Sequence, residues 1–136
     1  MAITGIGIDL VEVKRIRLLL GRHGERFKAR TFTEEEIRYC DGCADPAMHY
    51  AARFAAKEAG AKALGTGFAE GVSWMDIEVV RNAAGRPELR LHGGAGALAA
   101  LQGVVRCHVS LTHTKEQAMA QVVFEAGEGT CFGQSY

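Results

Sequence analysis

The sequence predicts an α+β domain in which a largely antiparallel sheet packs on a long central helix. Several short stretches alternate apolar and polar residues with the period of a strand, and one long stretch repeats small apolar residues at helical spacing. The 136 residues are 48% hydrophobic, enough to bury one core. We therefore expect a single domain over residues 1–125 and a Gly-rich tail over 126–136 that is disordered because it has little to bury.

The first half of the chain predicts one strand followed by three helices. Residues 3–10 alternate strictly, and a short amphipathic helix follows from Val13 and should end near Gly21. A capping box from Thr33 to Glu36 starts a second helix. The central helix should run from about Ala47 to Leu64. The two faces of the first strand differ, with Ile6, Ile8 and Leu10 on one side and Gly5, Gly7 and Asp9 on the other.

The second half predicts two hairpins separated by a short helix. Residues 82–87 read as the turn of the first hairpin, and residues 95–102 as the helix. The second hairpin turns near Lys115 and ends with a strand over 118–124. The inward residues of these strands are expected to be Met75, Ile77 and Val79, then Leu89 and Leu91, and then Val105, Cys107, Val109 and Leu111.

Charge and composition exclude several classes of protein. Sixteen Lys and Arg balance sixteen Asp and Glu, which predicts neither nucleic-acid binding nor membrane attachment. The N-terminal residues lack a basic region and soon reach Asp9 and Glu12, so we expect no signal peptide and no membrane span. The expected location is the cytoplasm. Cys40 and Cys43 form a lone Cys-x-x-Cys pair without a second pair at zinc-ligand spacing, which favours reduced thiols without a metal.

Two isolated carboxylates are candidates for chemistry. Asp9 is either an exposed carboxylate near the end of a strand, a cap for the next helix, or a Mg²⁺ ligand. Glu58 is either the first member of a surface ion pair with Lys62 or part of a metal and phosphate site. The like charges of Arg53 and Lys57, four residues apart, call for a nearby anion. The Gly65 to Gly67 turn fits a phosphate because glycine lets backbone N–H groups approach a ligand.

Two further surfaces carry polar groups. The outward face of the strand after Val105 presents Arg106, His108, Ser110 and Thr112, either to solvent or to a ligand. The helix after Asp9 is basic, since seven of the sixteen Lys and Arg residues lie between Lys14 and Arg30 and only Glu25 opposes them. That face is either simply solvated or a docking surface for an acidic partner.

The motifs that contain these residues resemble those of the holo-[acyl-carrier-protein] synthases, the small bacterial 4′-phosphopantetheinyl transferases. The resemblance covers residues 3 to about 125. The matching segments, in chain order, are Gly5 to Glu12, Arg53 to Ala59, Lys62 to Gly67, Gly85 to Pro87 and His108 to His113.

The resemblance implies transfer of 4′-phosphopantetheine from coenzyme A to a serine of an acyl carrier protein in fatty acid biosynthesis, with release of adenosine 3′,5′-bisphosphate. Asp9 and Glu58 would be the Mg²⁺ ligands that neutralise charge on the leaving phosphate. Glu58, or a metal-bound water that it orients, would be the general base. Lys62 would stabilise charge on the phosphate.

The resemblance also implies binding residues and partners. Family members form trimers with active sites at subunit interfaces, and Arg15, Arg22 and Arg26 match positions that dock the acidic helix of the carrier. The coenzyme A site would include Arg53, Gly65, Pro87, His108, Ser110 and Thr112.

Two departures from the family pattern and two other functions stay open at this point. Gly60 and Ala61 interrupt the central helix where relatives have larger residues, and glycine there costs about 1 kcal/mol against alanine. The segment from Cys40 to His49 lacks the basic residues that relatives use on the coenzyme's phosphates. The alternatives are a non-catalytic module that binds carrier protein and a Mg²⁺-dependent hydrolase of nucleotide pyrophosphates.

Overall fold

The structure is a computed structural model that describes residues 1–127; residues 128–136, with most of the predicted tail and Cys131, lie outside the described residues. Within residues 1–127, five strands and four helices follow one another, with a 3₁₀ turn at Trp74–Asp76 before the second strand. The elements are β1 (Ala2–Glu12), α1 (Val13–Thr31), α2 (Glu34–Asp41), α3 (Pro46–Leu64), β2 (Ile77–Arg81), β3 (Pro87–Leu91), α4 (Gly93–Leu101), β4 (Val104–His113) and β5 (Gln117–Ala126).

The strands form one three-stranded sheet and one hairpin, and all pairs are antiparallel. The sheet has the order β1-β5-β4, so β5 is central, while β2 and β3 pair with each other. Alternate residues of β5 are buried beneath α3: Ala118, Ala120, Val122 and Phe124. The predicted fold, an antiparallel sheet packed on a long central helix, is confirmed.

The glycine face of β1 is the face that packs on α3. A Cβ at Gly7 would lie 1.8 Å from the carbonyl oxygen of Ala59, and one at Gly5 would lie 2.2 Å from that of Ala63. No side chain fits at such distances, so glycine is what allows the strand and the helix to touch backbone to backbone. The opposite, apolar face of β1 is open, with Ile6, Ile8 and Leu10 each more than half exposed.

Helix α3 is the core of the domain. Pro46 occupies its first turn, where the missing N–H costs nothing, and Gly65 ends it in the left-handed conformation with φ of 87°. Gly60 lies against β2, because a Cβ there would come within 3.0 Å of Ile77 Cγ2. The glycine inside this helix therefore makes room for the β2–β3 hairpin.

A buried ion pair joins α2, α3 and the hairpin. Lys57 and Glu36 are fully buried, with 2.7 Å between Lys57 Nζ and Glu36 Oε1. Lys57 Nζ also donates to the carbonyls of Trp74 and Ile77, and Glu36 accepts from the backbone N–H groups of Thr33 and Val79. The hydrogen bonds satisfy both charges, as buried ions require. The predicted capping box is confirmed, and Glu36 serves both the cap and the pair.

Three details of the sequence prediction are wrong. Helix α1 does not end near Gly21, because the chain continues to Thr31 with non-helical backbone only at Gly24. Met75 belongs to the 3₁₀ turn rather than to a strand. Val105 is 61% exposed rather than inward, since a register irregularity between Val104 and Arg106 turns it outward.

Among residues 1–127, no helix is both long enough and apolar enough to cross a membrane.

The backbone contact between β1 and α3 predicts that Gly7→Ala destabilises the protein by about 1–3 kcal/mol or more, because the added methyl group overpacks the contact. The measurement is the midpoint of urea unfolding. Gly21→Ala is the matched control: Gly21 lies in α1, and no atom lies within 4 Å of the place that an added methyl group would take, so alanine should stabilise by about 1 kcal/mol or less. Equal midpoints for Gly7→Ala and the wild type would contradict the contact.

Candidate active site

Three polar side chains meet where the rim of β1 faces α3. From Tyr50 to Leu64 every residue of α3 is buried except Glu58 and Lys62, which lie four residues apart on one face. Lys62 Nζ donates to Asp9 Oδ1 at 3.1 Å and to the carbonyl oxygen of Ile8 at 3.0 Å. The two residues that α3 exposes are therefore directed at the one carboxylate on the glycine face of β1.

The environment of Glu58 disfavours its charge. Burial raises the pKa of Glu58 most, the charge of Asp9 raises it further, and the charges of Lys62 and Arg15 act in the opposite direction. Two carboxylates that interact in this way lie close to one another. The arrangement favours binding of either a proton or a metal ion.

The donors present fit a hard divalent cation. Asp9 and Glu58 supply carboxylate oxygens, and residues 1–127 contain no cluster of three or more His, Cys, Asp and Glu side chains of the kind that holds zinc. Magnesium commonly uses only one or two protein carboxylates and takes its other ligands from water and substrate phosphate. This pair of carboxylates has the number and chemistry of such a site.

The four charged side chains of α3 that the sequence analysis discusses have different partners in the structure. Of the two alternatives for Glu58, the surface ion pair with Lys62 does not form, because Lys62 pairs with Asp9. The anion that accompanies Lys57 is the buried carboxylate of Glu36, on the side of α3 away from Asp9. Lys57 is thus a core residue, which leaves Glu58 and Lys62 for chemistry.

The turn after α3 does not offer its N–H groups to a ligand. The backbone N–H of Gly65 donates to the carbonyl of Lys62, and those of Thr66 and Gly67 donate to the carbonyl of Ala61. These bonds cap the C-terminal end of the helix. The expected phosphate cradle at this turn is wrong, although the space beside the Cα of Gly65 is open.

Three of the residues predicted for coenzyme A line one cleft beside β4. The cleft has a volume of about 430 Å³ and contains Pro87, His108 and Ser110, together with Asn82 and Arg86 of the hairpin turn. His108 Nε2 forms a hydrogen bond with Glu125 Oε1. Thr112 lies further along β4, beside Leu10 and Met119 in a shallow depression.

Arg53 lies outside that cleft. Only 2% of Arg53 is exposed, and its guanidinium stacks on Tyr39, with 4.2 Å between Cζ and the ring centroid. It lines a second cleft of about 350 Å³ on the other side of β2. Of the six predicted coenzyme residues, the structure therefore groups three, and it places Arg53, Gly65 and Thr112 elsewhere.

The three arginines predicted to dock a carrier are exposed on α1. Arg15 lies with Leu18, Leu19 and Arg22 along one shallow groove, and Arg26 lines the next groove beyond Leu19. Leu18 is half exposed. Arg15 lies close enough to Glu58 to act on its pKa, so this basic and apolar surface begins at the candidate active site.

Some residues of both clefts were not among the site residues predicted from the sequence. Arg81 and Tyr39 line the second cleft with Arg53, and Arg86 and Asn82 line the first. Arg81 ends a strand before a turn, where a charged residue is ordinary, and Tyr39 lies within a short helix. Only the packing of α2 on α3 and β2 brings them together.

The cysteine pair is unsuited to metal or redox chemistry. Cys40 and Cys43 are free, and Cys40 is fully buried. Burial raises the pKa of the Cys40 thiol to about 12. A metal ligand or a redox nucleophile needs the thiolate, which this environment opposes.

Comparison with known proteins identifies close relatives. The model of the 4′-phosphopantetheinyl transferase superfamily matches residues 5–123. The holo-[acyl-carrier-protein] synthase of Koribacter versatilis is 49% identical over 123 residues, which cover 90% of this chain and 98% of that protein. The crystal structure of holo-[acyl-carrier-protein] synthase from Neisseria meningitidis is similar, with a TM-score of 0.84, 37% identity and coverage of 91% of this chain and 99% of that one.

A second solved structure was determined with a ligand. It is a holo-(acyl-carrier-protein) synthase from Bacillus anthracis in complex with CoA (3′,5′-ADP), with a TM-score of 0.76 and 38% identity. The match covers 92% of this chain and 98% of that one. These relatives span nearly the whole of this chain, so the likeness is not confined to one motif.

The raised pKa of Glu58 predicts a pH-dependent gain in stability for Glu58→Gln in metal-free buffer. A carboxyl whose folded-state pKa is raised above its usual 4.5 binds its proton more tightly in the folded protein. Its charge therefore costs stability above both pKa values and costs nothing below 4.5. Glu58→Gln should raise the urea midpoint at pH 8, and the gain should vanish as the pH falls towards 4.5.

Glu116→Gln, at an exposed turn residue, is the control and should show no such pH-dependent gain. A loss of stability for Glu58→Gln at pH 8 in the presence of EDTA would mean that the carboxylate is stabilising, contrary to the environment described.

Proposed function

The chain belongs to the 4′-phosphopantetheinyl transferase superfamily, and we propose that it acts as a Mg²⁺-dependent holo-[acyl-carrier-protein] synthase. It transfers the 4′-phosphopantetheine group of coenzyme A to a serine of an acyl carrier protein for fatty acid biosynthesis. The observation that carries this proposal is that α3 exposes only Glu58 and Lys62 between Tyr50 and Leu64. Lys62 pairs with Asp9, and Glu58 lies close enough to Asp9 for that charge to raise its pKa.

Asp9 and Glu58 would hold the Mg²⁺ ion. Their oxygen donors, their mutual repulsion and the raised pKa of Glu58 fit a bound divalent cation. The chemistry supplied by the bound ion would be neutralisation of negative charge at the pyrophosphate of coenzyme A.

The transfer step uses Glu58 as the proton acceptor. The serine oxygen of the carrier forms a bond to the phosphorus that bears the pantetheine, and the bond from that phosphorus to the bridging oxygen breaks. Adenosine 3′,5′-bisphosphate leaves with the electron pair of that bond, and the serine proton passes to Glu58 and then to solvent.

Lys62 would stabilise the negative charge of the pyrophosphate. About half of its side chain is exposed, and its ammonium lies 3.1 Å from Asp9 Oδ1. A lysine on a flexible stem can transfer its hydrogen bonds from the carboxylate to a phosphate oxygen nearby. It thus supplies a cation at the point where the leaving group gains charge.

Coenzyme A would lie along β4 and the β2–β3 hairpin. The cleft lined by Pro87, His108 and Ser110 has room for part of the nucleotide and presents ring and hydroxyl groups to it. The proposed coenzyme A site also includes three residues that lie outside this cleft: Arg53, Gly65 and Thr112. The complex of the Bacillus anthracis relative with CoA (3′,5′-ADP) supports this class of ligand.

An acidic acyl carrier protein would dock on α1. Arg15, Arg22 and Arg26 lie exposed beside Leu18, so the surface combines cations with an apolar contact. Charges at the rim of an interface mainly speed association. Because Arg15 is near Glu58, a carrier on this surface would bring its serine close to the proposed base.

A homotrimer would cover the open face of the sheet. Ile6, Ile8 and Leu10 of β1 and Met119 of β5 are exposed on one face, a patch that a monomer rarely leaves open. His108, Ser110 and Thr112 belong to the same face through their register with β5. The proposal places the protein in the cytoplasm, and the free thiols of Cys40, Cys43 and Cys107 support a reducing compartment.

The proposed reaction predicts a mass increase of about 340 Da on an apo acyl carrier protein that is incubated with the protein, coenzyme A and Mg²⁺. Asp9→Ala and Glu58→Ala should each lower the rate about a hundredfold or more without unfolding the protein, because each removes an oxygen ligand or the base. Intact mass spectrometry over a panel of carriers measures the product, and EDTA should abolish it.

Glu12→Ala, which removes an exposed carboxylate at the end of β1, is the matched control and should retain the rate. Carrier binding without a mass increase would instead indicate a non-catalytic module. Release of adenosine 3′,5′-bisphosphate from coenzyme A without any carrier would indicate a hydrolase.

The proposed trimer predicts that Ile8→Asp separates the subunits, because it places a charge in the middle of the covered face. Light scattering after gel filtration should give three times the chain mass for the wild type and one chain mass for the variant. Leu18→Asp is the control, since Leu18 is equally exposed but lies on α1. A monomeric wild-type protein at micromolar concentration would refute the trimer.

A further inference from the structure

The basic face of α1 carries two grooves that share one histidine. The first groove has a volume of about 330 Å³ and is lined by five residues of the helix: Arg15, Leu18, Leu19, Arg22 and His23. The second has a volume of about 160 Å³ and is lined by five others or shared ones: Leu19, His23, Arg26, Phe27 and Arg30. Leu19 and His23 belong to both grooves, and we call this pair the His23 ridge.

The His23 ridge lies where the helix is kinked. Gly24 directly follows His23 and is the residue of α1 with non-helical backbone. The first groove belongs to the segment before the kink, whereas the second groove reaches the segment after it. A partner that fills both grooves must therefore pass over His23, which places this side chain at the centre of the surface rather than at its rim.

The charged groups around the exposed His23 are cations. Arg15 and Arg22 line the first groove, Arg26 and Arg30 line the second, and no carboxylate lines either. Residues of α1 alone line both grooves, so α3, β1 and the 3₁₀ turn contribute no charged group to them. His23 forms no ion pair with any other residue of 1–127. A carboxylate at the ridge would have to come from a partner.

The nearest carboxylate of α1 in the sequence is engaged elsewhere. Glu25 lies 3.5 Å from Lys28 Nζ, and that ammonium also pairs with Asp41 of α2 at 3.2 Å. This pair belongs to the packing of α1 on α2. It leaves the surface of the two grooves with an excess of positive charge that only a bound acidic group would balance.

His23 differs from the arginines beside it in how its charge depends on pH. A guanidinium stays charged at every physiological pH, whereas the charge of a histidine side chain changes between pH 5 and pH 8. A carboxylate in contact with an imidazole favours the charged form of the ring. Among the residues that line the two grooves, His23 is therefore the one whose interaction with an acidic partner depends on pH near neutrality.

On the basis of the proposed function, we infer that His23 is a specificity-determining residue for the carrier protein, which binds a carboxylate of the carrier's acidic helix and takes up a proton from solvent on docking. Residues three or four apart lie on one face of a helix. A helix with two apolar residues about two turns apart and an acidic residue between them would fill both grooves and place its carboxylate on the His23 ridge. The surface thus selects an amphipathic acidic helix rather than any polyanion.

The proton that docking takes up sets the direction of the pH effect. Since the bound carboxylate favours the charged imidazole, the complex holds more protons than the separate proteins do. Affinity for the carrier should therefore fall as the pH rises from 6 to 8. Carboxylates and guanidinium groups keep their charge over this range and do not contribute. An exposed ion pair of this kind changes the affinity by about threefold.

The first test measures binding of an apo acyl carrier protein to the full chain by isothermal titration without coenzyme A. The wild type should bind with a Kd about threefold lower at pH 6 than at pH 8. His23→Gln should bind weakly at both pH values, and His23→Arg should bind tightly at both because its charge is permanent. The matched control is His92→Gln, which removes another half-exposed histidine, between β3 and α4, and should behave as the wild type.

The second test measures the proton itself. The same titration at pH 7 in buffers with different enthalpies of ionisation gives the number of protons taken up on binding. The wild type should take up a larger fraction of a proton than His23→Gln, and the difference removes any contribution from histidines of the carrier. In the transfer reaction, His23→Gln should raise KM for the carrier about threefold and leave kcat and KM for coenzyme A unchanged.

Binding and transfer decide two separate questions. Equal affinity of the wild type at pH 6 and pH 8 would overturn the inference, and so would a His23→Gln variant that keeps the pH dependence. Transfer to the carrier together with either result would leave the proposed function intact. Binding with the expected pH dependence but without a mass increase would support the role of His23 and refute the proposed transfer. Absence of carrier binding at both pH values would overturn the inference, and the mass assay would then decide the transfer by itself.

Discussion

The backbone contact between β1 and α3 is the constraint on which the active site depends. Gly5 and Gly7 let the strand approach carbonyl oxygens of the helix at distances that no side chain permits. Asp9 follows on the same face of the strand, two residues beyond Gly7, and so arrives beside α3 with its carboxylate at the rim. A wider spacing between strand and helix would move Asp9 away from Glu58 and Lys62.

A second constraint decides which charges of α3 can act. The helix carries Arg53, Lys57, Glu58 and Lys62, and the ion pair of Lys57 with Glu36 binds one side of it to α2 and to the hairpin. A buried ion pair adds little net stability, because desolvation offsets most of the attraction, but removal of one partner is costly. Its structural effect here is on orientation. With Lys57 fixed inward, the periodicity of the helix directs Glu58 and Lys62 towards β1.

The sequence predicts most of the fold because local patterns determine most of the elements. The capping box at Thr33, the alanine-rich helix and the alternation of the strands are confirmed, since each depends on neighbouring residues alone. The errors arise where tertiary packing or an irregularity decides. A kink at Gly24 replaced the expected end of α1, and a register irregularity turned Val105 outward. Lys57 resembled its charged neighbours in sequence, and only packing buries it.

Tertiary packing rather than local sequence pattern also decides where the site residues lie. For this reason one chain holds the predicted coenzyme residues in separate places. Asp9 lies on the face of the sheet that α3 covers, whereas His108 lies on the open face, in register with Val123, which pairs on its other side with Ile6. These faces are opposite sides of one sheet, and β1 and β4 are its two edges. In the trimer proposed above, a second copy of the chain would cover the open apolar face on which His108 lies. Burial of the exposed isoleucines would then supply free energy for that assembly. On this reasoning the two faces of β1 have different tasks, since one holds the carboxylate of the proposed site and the other holds the proposed subunit contact.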